Sequence, residues 1–189
     1  MKEYPVKLKI DYAESSNRLT TIFRLILVIP IVIILALIST YAEALSLAIA
    51  MMILFQEKYP RWWFDWNIGI TKFAYRIAAY VFLMRDEYPS TDHDQSVQIN
   101  IPYPDVKNDL KRWMPLVKWI LVIPHIIALI VLFIGVVLST IVALIAILFT
   151  GKYPKGIFNF VEGFLIWTLR VSAFALFLTT DEYPPFRLK

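Results

Sequence analysis

Two long apolar stretches constrain this chain more than anything else in it. Leu25 to Phe55 and Met114 to Phe149 each contain more than the ~20 apolar residues a helix needs to cross a bilayer. Neither resembles a secretory signal, whose apolar core of about 7–15 residues precedes a small-residue cleavage site, so both are expected in the mature chain. The whole is 59% hydrophobic with a mean hydropathy of +0.62, above the roughly 45–50% apolar content of soluble domains. The excess sits in these stretches, so the expected class is an all-α integral membrane protein.

The stretches belong to a tandem repeat. Arg24 to Pro30 (RLILVIP) matches Lys118 to Pro124 (KWILVIP), and Ile53 to Pro60 (ILFQEKYP) matches Ile147 to Pro154 (ILFTGKYP). Arg76 recurs as Arg170, Asp86 to Pro89 (DEYP) recurs as Asp181 to Pro184, and Val6 to Tyr12 matches Val97 to Tyr103. Matching loops and charges in one order exclude a chance likeness of apolar helices. The division is a first hairpin module over 1–89, a linker over 90–96 and a second hairpin module over 97–189.

Each module opens on an alternating segment, Val6-Leu8-Ile10 or Val97-Ile99-Ile101, the period-two pattern of a half-buried strand. The long apolar helix follows, then a Tyr-Pro turn where proline fixes φ, then a second helix over about 61–84 or 156–179. The expected architecture is two tandem helical hairpins, four transmembrane helices in all, with a short β-strand before each hairpin. The two strands are expected to pair and so cover their open backbone groups.

The second helices are the less apolar ones, since 62–84 carries Asp65, Lys72 and Arg76, and 156–179 carries Glu162 and Arg170. They either return across the bilayer or lie at its interface. If each module is a spanning hairpin, both termini and the linker share one side. That side collects twelve Lys and Arg residues, among them Lys7, Lys9, Arg24, Arg85, Lys111 and Lys118, against Lys58, Arg61, Lys152 and Lys155 opposite. By the positive-inside rule the termini are cytoplasmic.

Asp65, Lys72 and Arg76 share one helical face by their spacing. Glu43 lies on a stripe with Ala36, Thr40, Ser46 and Ala50, small or polar residues that let membrane helices approach closely. At ~1.5 Å per residue Glu43 lies roughly 18 Å from Phe55, and Lys72 and Arg76 about 15 and 21 Å from Trp62. An antiparallel hairpin therefore predicts an intramembrane ion pair of Glu43 with Lys72 or Arg76, and Glu162 with Arg170 share a face in the second helix. Intramembrane charges are candidates for an ion or substrate path; the plainer reading is a pair that locks the hairpin. The positions matching Glu43 and Lys72 are Val137 and Ile166, so no symmetric path is encoded.

His125, after Pro124, is a candidate for haem or quinone contact, set against an ordinary hydrogen-bonded side chain. His93 falls in the polar linker, and the cluster Trp62-Trp63-Phe64-Asp65-Trp66 suits an interfacial aromatic belt. The chain lacks cysteine, which excludes disulfides and thiolate chemistry. No Gly-rich phosphate loop, zinc-protease helix or nucleophile elbow is present, so no enzyme activity and no cofactor is expected. The net charge of +4 suits anionic headgroups rather than nucleic acid, because most of the basic residues flank the apolar runs.

Trp113 to His125 (WMPLVKWILVIPH), Ile147 to Pro154, Leu169 to Ala175 (LRVSAFA) and Thr180 to Phe186 (TDEYPPF) together resemble the prokaryotic membrane family described as domain of unknown function 4389. The likeness spans about 97–187, and the first module is a more diverged copy. It implies a small bacterial or archaeal membrane protein and implies no activity. The expected function is a non-catalytic accessory or scaffold subunit of a larger membrane complex, with lipid and other membrane subunits as partners. The alternatives are a small oligomeric transporter or channel using the intramembrane charges, and the haem or quinone site at His125.

Overall fold

The structure, a computed structural model, describes residues 4–91 and 93–188, with all side chains there except those of Leu25 and residues 40–44. The elements are β1 (Lys7–Ile10), α1 (Arg18–Leu27), α2 (Ile29–Gln56), α3 (Arg61–Val81), β2 (Val97–Asn100), α4 (Val106–Asp109), α5 (Met114–Leu121), α6 (Ile123–Thr150) and α7 (Lys155–Ala175).

α1 and α2 are one bent rod. The Val28 and Val32 amides still bond the Arg24 and Val28 carbonyls at 2.9 and 3.0 Å, yet the axis turns by 52° between 18–24 and 29–39. The bend falls beside Pro30, which has no N–H and whose ring crowds the turn before it. α5 and α6 meet at Pro124 but run on as one helix of 37 residues, 114–150. The long helices end on left-handed residues, Glu57 with φ 51° and Gly151 with φ 72°, which turn the chain into the Tyr-Pro corner.

The expected strand pairing is present: β1 and β2 are antiparallel, with Lys7 opposite Asn100 and Ile10 opposite Val97. Leu8, Ile10, Val97 and Ile99 are buried in one core drawn from both modules, while Lys7, Lys9, Gln98 and Asn100 face outward. That alternation follows from the period of two. The sheet lies on the second helices, but exchanged: β1 packs on α7 and β2 on α3, while α3 packs on α2 and α7 on α6.

The exchange is sealed by repeated cross-module bonds. The Tyr12 hydroxyl donates to the Tyr153 carbonyl at 2.6 Å, and Tyr103 donates to that of Tyr59. Arg18 Nη2 donates to the Phe149 carbonyl at 3.1 Å, and its counterpart Arg112 donates to Leu54 and Phe55. Each arginine thus caps the open carbonyl end of the other module's long helix, where cations are favoured. The start of each long helix therefore stands beside the end of the other, and the modules are head to tail about a pseudo-two-fold axis.

This corrects the premise that both termini and the linker share one end. Tyr4 donates to the Arg170 and Glu182 carbonyls at 3.3 and 3.2 Å, near the end of α7, whereas Ser90 accepts from Arg76 near the end of α3. Counting charges along the chain cannot distinguish parallel from head-to-tail hairpins, and the strand exchange selects the latter.

Helices 114–150 and 155–175 are long and apolar enough to cross a membrane, and the bent pair 18–24 with 29–39 passes jointly. The outer faces of the long helices expose Leu37, Leu47 and Phe55 on one side and Ile127, Val131, Leu138 and Phe149 on the other. Apolar faces of this extent belong against lipid or another protein. The chain is a membrane protein.

Candidate functional site

A clasp recurs once in each module. Arg24 and Lys118, equivalent positions at the head of the apolar runs, are 2% and 1% exposed. A charge taken out of water costs several kcal/mol unless it is paired and hydrogen-bonded, and both are. Arg24 donates to the Tyr80 and Arg85 carbonyls at 3.0 and 3.1 Å, pairs with Asp86 and lies 4.5 Å from the Tyr80 ring centroid. Lys118 donates to the Thr180 carbonyl at 2.8 Å, pairs with Asp181 at 2.7 Å and lies 5.2 Å from the Phe174 ring.

The remaining parts of the Asp-Glu-Tyr-Pro motif complete the clasp. The second carboxylate oxygen of Asp86 accepts from the Asn17 amide at 2.7 Å, and that of Asp181 from the Lys111 amide at 2.6 Å. The Tyr88 and Tyr183 hydroxyls donate to the Leu27 and Leu121 carbonyls at 3.3 and 3.2 Å. The chain reaches the motif through a left-handed leucine, Leu83 with φ 63° or Leu178 with φ 55°. That conformation is costly for leucine and is held here because both side chains are buried. Each motif therefore ties the head of a long helix to the end of its own return helix. With both charges neutralised in place, the chemistry is that of a lock.

Glu87 adds a tie to the linker. It pairs with Arg85 at 2.6 Å, accepts from the Ser96 amide at 3.1 Å and bonds the Ser96 hydroxyl. Partial burial pushes its carboxyl up, but the hydrogen bonds from Ser96 and Arg85 outweigh that and hold it below the usual carboxylate range.

The charges singled out in the sequence face the sheet. Lys72 is exposed, and with Arg76 it lines a polar recess of about 320 Å³ beside Asp94, Gln95 and Gln98. Arg76 Nη1 donates to the Ser90 carbonyl at 2.5 Å. The side chain of Glu43, the expected partner, lies outside the described residues. Glu162 and Arg170 do share a face of α7, the one β1 covers: Glu162 accepts from the Ile10 amide at 3.4 Å, and Arg170 lies 5.8 Å from the Tyr4 ring.

His125 is fully buried. Its Nδ1 accepts from Trp167 Nε1 at 3.0 Å, and its ring stacks on Phe186 at 3.9 Å, with Tyr183 4.8 Å away. The histidine thus packs among the rings of Trp167, Tyr183 and Phe186. Among the described residues no cluster of three or more His, Asp or Glu can hold a metal.

Arg24, Lys118, Asp86 and Asp181 are not among the site residues expected from the sequence. The signal for them was present: a basic residue heading each apolar run and an aspartate in each closing motif recur in both copies at nearly the same distance.

The profile of the family described as "domain of unknown function (DUF4389)" matches residues 18–91 and 112–187. The chain belongs to this family. Each matched region of the DUF4389 protein begins at or next to the cross-module arginine, Arg18 or Arg112, and runs through the clasp motif. The strands lie before the matched regions. No curated protein and no solved structure matches the chain.

Proposed function

We propose that this protein is a non-catalytic accessory or scaffold subunit of a larger membrane assembly, seated in the cytoplasmic leaflet of a prokaryotic membrane. The observation that carries the reading is how the charges are used. Arg18 and Arg112, Arg24 and Lys118, and Asp86 and Asp181 join one element to another, while the long helices present apolar outer faces. Buried, satisfied charges rigidify a scaffold, and broad apolar faces suit lipid and neighbouring helices.

The sheet supports this membrane placement. Four crossing helices would set the open edges of β1 and β2, with outward Lys7, Lys9, Gln98 and Asn100, at bilayer depth beside α3 and α7. Open sheet edges do not occur in hydrocarbon, where each unsatisfied backbone group costs several kcal/mol. In this reading the sheet faces water, α3 and α7 lie at the interface, and the long helices enter the lipid. Both termini are then cytoplasmic.

Two experiments test the proposal. Gentle-detergent isolation of the native protein is expected to retain larger membrane subunits in fixed stoichiometry; recovery as a lone protomer or homo-oligomer overturns the accessory role. Because the chain has no cysteine, single cysteines at Lys58, Asp94 and Lys152 report placement with an impermeant maleimide in sealed vesicles. Labelling of all three from one face supports the interfacial seat. Labelling of Lys58 and Lys152 from opposite faces would mean crossing helices set head to tail, and Asp94 set apart from both would mean parallel hairpins. The recess at Lys72 and Arg76 favours the second reading, a transporter or channel, which predicts that charge-reversing substitutions there alter ion flux in liposomes.

A further inference from the structure

We propose that the first module holds an acyl lipid in a cleft between α2 and α3, with the lipid's oxygen head at Asn67 and Tyr75. The cleft has a volume of about 310 Å³ and is closed by the corner that follows α7. Val32, Leu35, Ile70 and Phe177 give it apolar walls. Asn67 and Tyr75 also line it, buried to 3% and 9% exposure; Asn67 lies beside the Tyr59 hydroxyl, yet among the described residues neither Asn67 Oδ1 nor the Tyr75 hydroxyl has a hydrogen-bond partner. Native structures seldom leave such groups unpaired, and each exception asks for an explanation.

The second module is an internal control. Ser39 corresponds to Phe133, whose half-exposed ring lies against Phe164 and Phe82, at ring distances of 6.1 and 6.5 Å. Asn67 and Tyr75 correspond to Val161 and Leu169, both fully buried. The same hairpin therefore packs apolar side chains at these two positions when its sequence allows, so the two polar groups are not demands of the fold.

The occupant follows from the chemistry of the walls. Val32 is exposed on the apolar flank of α2, so entry is from the hydrocarbon side, and the walls suit an alkyl chain. A carboxylic acid or hydroxyl oxygen both accepts and donates, so it can satisfy the tyrosine hydroxyl or the asparagine oxygen. A fatty acid or a monoacyl lipid carries both parts.

The test uses the full-length protein in detergent with a diazirine-bearing palmitic acid and, separately, a diazirine-bearing prenyl alcohol. Palmitic acid is expected to label peptides of α2 and α3 at the cleft, in competition with monoacylglycerol. Labelling should fall about tenfold in Ser39→Phe, a loss of about 1.4 kcal/mol in affinity. Palmitate should raise the Tm of the wild type but not of Ser39→Phe or of Asn67→Val with Tyr75→Leu. These variants copy the second module's residues, and a cooperative melt verifies their fold. Equal labelling of wild type and Ser39→Phe, labelling confined to the outer faces of the long helices, or labelling by the prenyl alcohol alone would overturn the assignment.

Discussion

The hairpin of α2 with α3 and that of α6 with α7 occupy equivalent places about the pseudo-two-fold axis, yet they are finished differently. In the second, Val161 and Leu169 are fully buried, the half-exposed Phe133 lies against Phe164, and the long helix continues through Pro124 as one span. In the first, Ser39, Asn67 and Tyr75 leave a cleft, and the long helix bends by 52° at Pro30. The clasp, the capping arginines and the tyrosine ties are common to both. What recurs is what two strand-exchanged modules need to hold together; what differs marks where one copy departs from simple packing.

The largest expected effect tests the shared half of that comparison. Asp86→Ala and Asp181→Ala each strand a buried cation and should cost about 3–5 kcal/mol in denaturant unfolding in detergent. Similar losses are expected from both, and a loss from one alone would show that the clasps are not equivalent.

Next is the half that differs. In delipidated protein Asn67→Val with Tyr75→Leu removes two unpaired buried polar groups and should stabilise by roughly 1–3 kcal/mol. Val161→Asn in the second module should destabilise by a comparable amount. Opposite signs in the two copies confirm that one site is tuned for polarity and the other for packing.

The linker tie gives a smaller, pH-dependent effect. The Glu87 carboxyl is held lower in the folded protein than its unfolded value of about 4.3. Its contribution is therefore present at neutral pH and is lost as pH falls through that value towards the folded one. The group is over a third exposed, so solvent screening limits it to below about 1 kcal/mol. Thermal melts from pH 7 to pH 3 should show Glu87→Gln losing less stability over the acid limb than the wild type. The smallest effect is expected at the left-handed caps. Glu57→Gly copies Gly151 and should gain up to ~1 kcal/mol in Tm-derived stability, because the exposed Glu57–Arg112 pair, at 3.6 Å, contributes little.

Much of the fold was legible in the residues. The apolar runs, the duplication, the two strands and their pairing follow from local period and from repetition. The site was legible only in part. Lys72, Arg76, Glu162 and Arg170 read as charges within helices, and the structure puts them against the sheet and linker. Arg24 and Lys118 read locally as flanking charges, because nothing nearby in sequence distinguishes a solvated basic residue from one buried on a carboxylate 62 or 63 positions away.

By itself, the sequence determined the class, a membrane protein of two like modules, because length, hydropathy and period act over a few turns of chain and can be read there. Only the tertiary structure decided which module each strand covers, that the modules lie head to tail, and which cation meets which aspartate. Those choices rest on contacts between distant residues, such as Ile10 with Glu162 and Arg18 with Phe149. Their energies depend on the whole arrangement, and a local pattern compatible with either pairing cannot select between them.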